Sequence, residues 1–195
     1  RALYRASSSR LRSHDLTVDR VVVDIFFPAC LRSAVEGVGR VYHAAAQADY
    51  WKRPRGVVEA AVAGTTNVVE AARAAGVRRL VLTSSLAAMG IPRRGMPLNE
   101  DDRYDLRPSD FPYGYGKLRA EVEALRAAAD RLEVVIVNPS VVLGPGDVHQ
   151  ISGSLVIEAA RGRAVVWIEG GINIVHIADV VEGHLAAMNR GRPGE

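Results

Sequence analysis

Short apolar, β-branched runs alternate along this chain with longer alanine-rich stretches of helical period, and that alternation leaves few folds open. The strands expected are Arg1–Arg5, Arg20–Asp24, Arg40–Ala45, Arg78–Ser84 and Glu133–Asn138. Helices are expected between them over Pro28–Gly37, Val57–Ala75 and Pro112–Arg131. In the middle one, Val58, Ala61, Val62, Thr65, Val69 and Ala72 recur at helical spacing, and Gly76 supplies the stop. Strands separated by helices of this length form βαβ units, whose crossovers make the sheet parallel and cover both its faces. The expected fold is therefore α/β, with a doubly wound parallel sheet.

After Asn138 the pattern changes. Gly144-Pro145-Gly146 marks a turn, followed by a short helix near Ser154–Arg161, an apolar strand Ala164–Ile168 and a Gly170-Gly171 break. Asn173–Ile177 suits a strand, and Ala178–Asn189 a helix ended by Gly191 and Pro193. Both ends are abrupt: the first residues already read as a strand, and Arg190–Glu195 reads as a connection. The expectation is a fragment of a longer chain.

The 195 residues suffice for one domain, or a domain and part of a second, and 48% hydrophobic with 24% charged content is ordinary for a soluble globular protein. A net charge of +3, scattered arginines and no aromatic-studded basic patch argue against a nucleic-acid partner. The single cysteine, Cys30, allows no intrachain disulfide and suits a reducing compartment. No run of about 18 apolar residues occurs and the first residues do not read as a signal peptide, so a cytoplasmic protein with no membrane partner is expected.

Only two lysines, Lys52 and Lys117, stand among 25 basic residues, and Lys117 follows Tyr113 by four positions at the start of a helix. Residues four apart share a helix face, so phenol and ammonium can address one site. A free tyrosine has a pKa of about 10; a nearby cation favours its phenolate and moves it toward useful acid–base catalysis. Lysine's compact ammonium can also reach sugar hydroxyls.

Ligands of an open α/β sheet bind outside the carboxyl ends of the strands. Three strand ends carry unusual residues. His43-Ala44-Ala45-Ala46 offers small side chains that let a flat ligand approach, Thr83-Ser84-Ser85 sets hydroxyls on the same rim, and Asn138-Pro139-Ser140 turns the chain. Serine, tyrosine and lysine can thus converge on one cleft. Tyr50 and Trp51, after the small-residue strand end, are candidates for lining a substrate pocket. His43 and His176 read as structural, since no metal-ligand spacing is present, and no G-x-S-x-G elbow marks a hydrolase. Glu100-Asp101-Asp102 reads as solvated surface.

Taken together, Tyr113-x-x-x-Lys117, Thr83-Ser84-Ser85, His43-Ala44-Ala45-Ala46, Asn138-Pro139-Ser140…Gly144-Pro145 and Val175-His176-Ile177-Ala178-Asp179-Val180 resemble the extended short-chain dehydrogenase/reductases. Within these the chain is most similar to the NAD-dependent epimerase/dehydratase group, especially dihydroflavonol-4-reductase-like proteins and hopanoid-associated sugar epimerases. The resemblance covers essentially the whole chain. It implies a Rossmann-like fold, with residues 1–142 a partial dinucleotide-binding domain and 143–195 the start of a smaller substrate-binding region whose segments return to the core.

The resemblance also implies roles. Tyr113 is the catalytic acid/base, Lys117 lowers its pKa and holds the nicotinamide ribose, and Ser85 hydrogen-bonds the reacting oxygen. Ser84, Ala44, Ala45, Ala46, Asn138, Pro139 and Ser140 would adjoin the cofactor, and Asp24 would contact the adenine. Arg5 stands where NADP-binding members place an arginine against the 2′-phosphate, so NADP(H) is expected over NAD(H). The partner is then a small molecule (a ketone, polyphenol-like compound or sugar derivative), with a homodimer as an option.

Two departures matter. The family's G-x-x-G-x-x-G turn is missing from the chain, as though the first βα unit were lacking, and Ala61 replaces the usual Asn ahead of Gly64-Thr65. Three readings follow: a carbonyl reductase; a nucleotide-sugar epimerase or dehydratase with the same residues; and, from a different class, a cofactor-binding or sensor protein without turnover.

Overall fold

In the computed structural model, residues 1–5, 17–46, 56–92, 96–102, 104–147, 152–163 and 171–195 are described. The central sheet is parallel in the order β3-β4-β5: β3 (Arg40–His43), β4 (Arg79–Thr83) and β5 (Glu133–Val137). Leu80 pairs with Val41 on one side and Val134 on the other. Two further parallel pairs flank it, β1 (Ala2–Tyr4) with β2 (Arg20–Val22), and β6 (Val141–Leu143) with β7 (Ile174–His176). The helices are α1 (Pro28–Val35), α2 (Val57–Ala74), α3 (Pro112–Ala128), α4 (Gly153–Ala160) and α5 (Ile177–Arg190).

Side chains alternate across a strand, and the core divides accordingly. Leu80, Leu82 and Val134 pack with Leu31 of α1, Val68, Val69 and Ala72 of α2 and Ala124 of α3. On the opposite face Val81 and Val135 meet Met188 of α5. Helices therefore cover both faces, as the alternation of strands and helices requires. The fold is a Rossmann-like α/β sheet.

The expected strands and helices are present, mostly one or two residues shorter than their sequence ranges. β6 is an addition. The expected strand Ala164–Ile168 lies outside the described residues. Among those described, β1 pairs only with β2, and β3 only with β4. Residues of β1 and β3 line a shared cleft, so one edge of each strand is unpaired there. Tyr42, level with Val81 and on its side of the sheet, is exposed because α5 packs over β4 and β5.

Candidate active site at the carboxyl ends of the strands

Two glycines let the first turn of α3, which opens on Pro112, pack closely. A side chain at Gly114 would strike the carbonyl of Ala87 and the ring of Phe111, and one at Gly116 would lie 3.3 Å from Val58 Cα on α2. Glycine inside a helix costs roughly 0.5–1 kcal/mol against alanine. Here it permits the start of α3 to press at once on α2 and on the 3-10 turn Leu86–Met89 that follows the serines. Tyr113 and Lys117 bracket both glycines, so the close packing falls on the turn that carries the candidate pair.

The serine rim is tied down by backbone bonds that continue the β4–β5 ladder past the strand ends. Ser84 N donates to Val137 O at 2.8 Å, and Leu86 N to Pro139 O at 3.0 Å. Ser85, between them, is extended (φ −162°, ψ 149°), and its Oγ accepts from Ala87 N at 3.2 Å. A hydroxyl that accepts this way keeps its own proton to donate. Ser84 is buried, and among the described residues its Oγ has no partner at ordinary hydrogen-bond geometry; the Glu121 carboxyl is the group it faces. Asn138 bridges two elements, its Nδ2 donating to Ser85 O at 3.1 Å and to Glu121 Oε1 at 2.8 Å.

Lys117 Nζ donates to the carbonyl of Thr83 at 3.1 Å. Burial lowers its pKa from the ordinary amine value, and the nearby Glu121 carboxylate opposes that shift. His43, 4% exposed at the end of β3, has Nε2 3.3 Å from Thr65 Oγ1. Burial, helped by the Lys117 charge, lowers its pKa to about 4, so it stays neutral at physiological pH. The histidine expected to be structural is thus an uncharged wall beside the ammonium.

One cleft of about 1270 Å³ gathers Tyr113, Lys117, Ser84, Ala44, Ala45, Ala46 and Arg5, with Ala61 and Thr65 of α2. Ser85 lies next in the chain, outside that lining. Asn138, Pro139 and Ser140 line a separate pocket of about 330 Å³ with Asn173 and Asp179. Asp24 is also off the cleft; its Oδ1 accepts from Phe26 N at 3.0 Å in a local turn. Tyr50 and Trp51 lie outside the described residues. Glu121 and His184 carry no motif of their own, and nothing in the sequence marks them. Thr83 is expected on the rim for its hydroxyl, whereas it is its backbone carbonyl that meets Lys117. Gly114 and Gly116, two glycines inside a helix, are the sequence signal for the close packing around Tyr113 and Lys117.

The donors present fit a nicotinamide dinucleotide. Exposed small residues at Ala44–Ala46 leave room for a flat ring, and the orphaned Ser84 hydroxyl and the Lys117 ammonium line the same wall. Among the described residues no group of three or more His, Cys, Asp or Glu could hold a metal ion, and no helix is long and apolar enough to cross a membrane.

Comparison with known proteins identifies the family and the fold. The profile of the NAD dependent epimerase/dehydratase family matches residues 1–195. The chain is 34% identical over 194 residues to a Synechocystis protein named "Putative dihydroflavonol 4-reductase", covering 98% of this chain and 56% of that one. The crystal structure of gox2253 superposes with a TM-score of 0.89 at 36% identity, covering 99% of this chain and 59% of that one. MoeE5 in complex with UDP-glucose and NAD superposes with a TM-score of 0.73 at 28% identity, covering 88% and 58%. The chain thus spans rather more than half the length of these relatives.

Proposed function

The chain belongs to the NAD-dependent epimerase/dehydratase family, and from that premise we propose that it carries the catalytic part of an NAD(P)-dependent oxidoreductase of the extended short-chain type. The observation that carries this reading is the Lys117 ammonium, anchored to the Thr83 carbonyl in the same cleft and on the same helix face as Tyr113. Residues 1–142 form the dinucleotide-binding part and 143–195 begin the substrate-binding region.

A bound nicotinamide supplies the hydride, or accepts it in the reverse direction. Tyr113 gives its proton to the alkoxide that develops on the substrate oxygen. Lys117 makes that proton easier to give, because its charge stabilises the phenolate left behind. Ser85, whose Oγ already accepts from Ala87 N, uses its own proton to fix and polarise the reacting oxygen. Neutral His43 leaves Lys117 the only cation of the pair.

Reduction of a carbonyl in a dihydroflavonol-like substrate is the favoured activity, supported by the Synechocystis relative. Epimerisation or dehydration of a nucleotide sugar is the second reading, supported by the likeness to MoeE5 in complex with UDP-glucose and NAD. Arg5, on the cleft beside β1, favours NADP(H) over NAD(H). Turnover by a Tyr113→Phe variant of the full-length protein, followed by reduced-nicotinamide absorbance with a dihydroflavonol and by analysis of the product sugar with UDP-glucose, tests the reading. A loss of about 10²- to 10⁴-fold is expected. Near wild-type turnover would remove Tyr113 from the mechanism.

A further inference from the structure

Glu121 lies two turns beyond Tyr113 and one beyond Lys117, on the same face of α3. It is half-buried, and burial raises its carboxyl's pKa while Ser84, Asn138 and Lys117 favour the charged form. A carboxylate kept in such a place needs partners; Ser84 and Lys117 line the candidate cleft, and Asn138 stands behind the Ser85 turn beside it. The Asn138 amide spans the gap from the Glu121 carboxylate to the Ser85 carbonyl, joining α3, the end of β5 and the serine turn in one chain of bonds.

We propose that Glu121 is a positioning residue that, through Asn138, holds the Ser85 turn in register with the helix face bearing Tyr113 and Lys117. The proposal rests on the oxidoreductase reading for its catalytic consequence, but not for its geometry. Tyr113 and Ser85 reach the site from different elements, and this bridge joins the packing of α3 and the Lys117–Thr83 bond in setting their separation. A misplacement of about 1 Å can cost roughly 100-fold in rate. Glu121 also places a negative charge near Lys117, whose other charged or titratable neighbours among the described residues include His43 from β3 and Tyr113 from α3.

The two-lysine composition makes a direct test simple, because lysine-labelled chain gives one amine signal each for Lys117 and Lys52. Replacing Glu121 with Gln keeps an oxygen for Asn138 but removes the charge. By nuclear magnetic resonance the Lys117 amine should then titrate at lower pH than in the wild type. An unchanged Lys117 titration would overturn the electrostatic half of the proposal.

In the full-length protein, Glu121→Ala should lower kcat by about 10- to 100-fold with little change in KM. Glu121→Gln should recover most of that loss. Asn138→Ala, which cuts the same bridge from its other end, should reproduce the kcat effect should Glu121→Ala fail to fold. Wild-type kcat in both alanine variants, or no recovery with glutamine, overturns the positioning role. If Tyr113→Phe proves fully active, the oxidoreductase reading fails instead, and the lysine titration still judges the contact.

Discussion

The two ends of the central sheet handle the same pair of charges in opposite ways. At the amino end, Arg79 Nε meets Glu133 Oε2 directly at 2.6 Å, and Arg79 Nη1 caps the last carbonyls of α5 at Ala187 and Met188. At the carboxyl end, Lys117 and Glu121 form no direct ion pair. The ammonium gives its hydrogen bond to a backbone carbonyl and the carboxylate takes one from an amide. Direct pairing satisfies both charges and leaves nothing over. Holding them apart on neutral groups leaves the lysine's charge directed at the cleft. One edge is built to hold the sheet together, the other to keep charge in reserve.

The largest test of that contrast is pH. His43 is kept neutral at the carboxyl edge with its pKa lowered from 6.5 to about 4. The unfolded chain binds this proton between those values and the folded chain does not, so stability is full above pH 6.5 and falls as pH drops toward 4. A shift of this size corresponds to about 3 kcal/mol. Chemical denaturation across that range should show the loss, and His43→Gln should remove that part of it while keeping a partner for Thr65. Equal slopes in both proteins would mean that His43 is not held as the geometry requires.

The amino edge should answer differently. Arg79→Met leaves Glu133 and two helix carbonyls without their cation, and should cost about 2 kcal/mol in urea unfolding. Because Arg79 serves only the structural edge, turnover and the Lys117 amine titration should stay at wild-type values. A change in either would show that the two edges are coupled through the strands.

Much of this was readable beforehand because its signals are local. Strand–helix alternation announced the parallel sheet, and Tyr113, Lys117, Ser84 and Ala44–Ala46 do share a cleft. What escaped depends on long-range pairing. β6 is three residues long, and its partner lies some thirty residues later, so nothing nearby marks it as a strand. Glu121 sits in the run Ala-Glu-Val-Glu-Ala, where it looks like its neighbour Glu123. Glu123 forms ordinary surface pairs with Arg119 and Arg126, whereas Glu121 reaches a group beyond the next strand. Asp24, expected at a strand end as a ligand contact, also accepts from Phe26 N in its own turn, the common local use of a short carboxylate.

The boundary between the two behaviours runs through one residue. Thr83 ends β4, and its backbone carbonyl accepts from Lys117 while its side chain binds the opposite face, with Oγ1 2.8 Å from His184 Nε2. His184 Nδ1 lies 2.7 Å from the Val180 carbonyl, which can only accept, so Nδ1 carries the proton and Nε2 accepts from the threonine hydroxyl. Thr83→Val removes the bond to α5 but leaves the carbonyl that anchors the lysine. The expected result is a loss of about 1 kcal/mol, the usual worth of one such hydrogen bond, with the Lys117 amine titrating as before. If the amine shifts too, the packing of α5 reaches the site through β4. If it does not, the strand separates scaffold from chemistry within a single residue, side chain to one and carbonyl to the other.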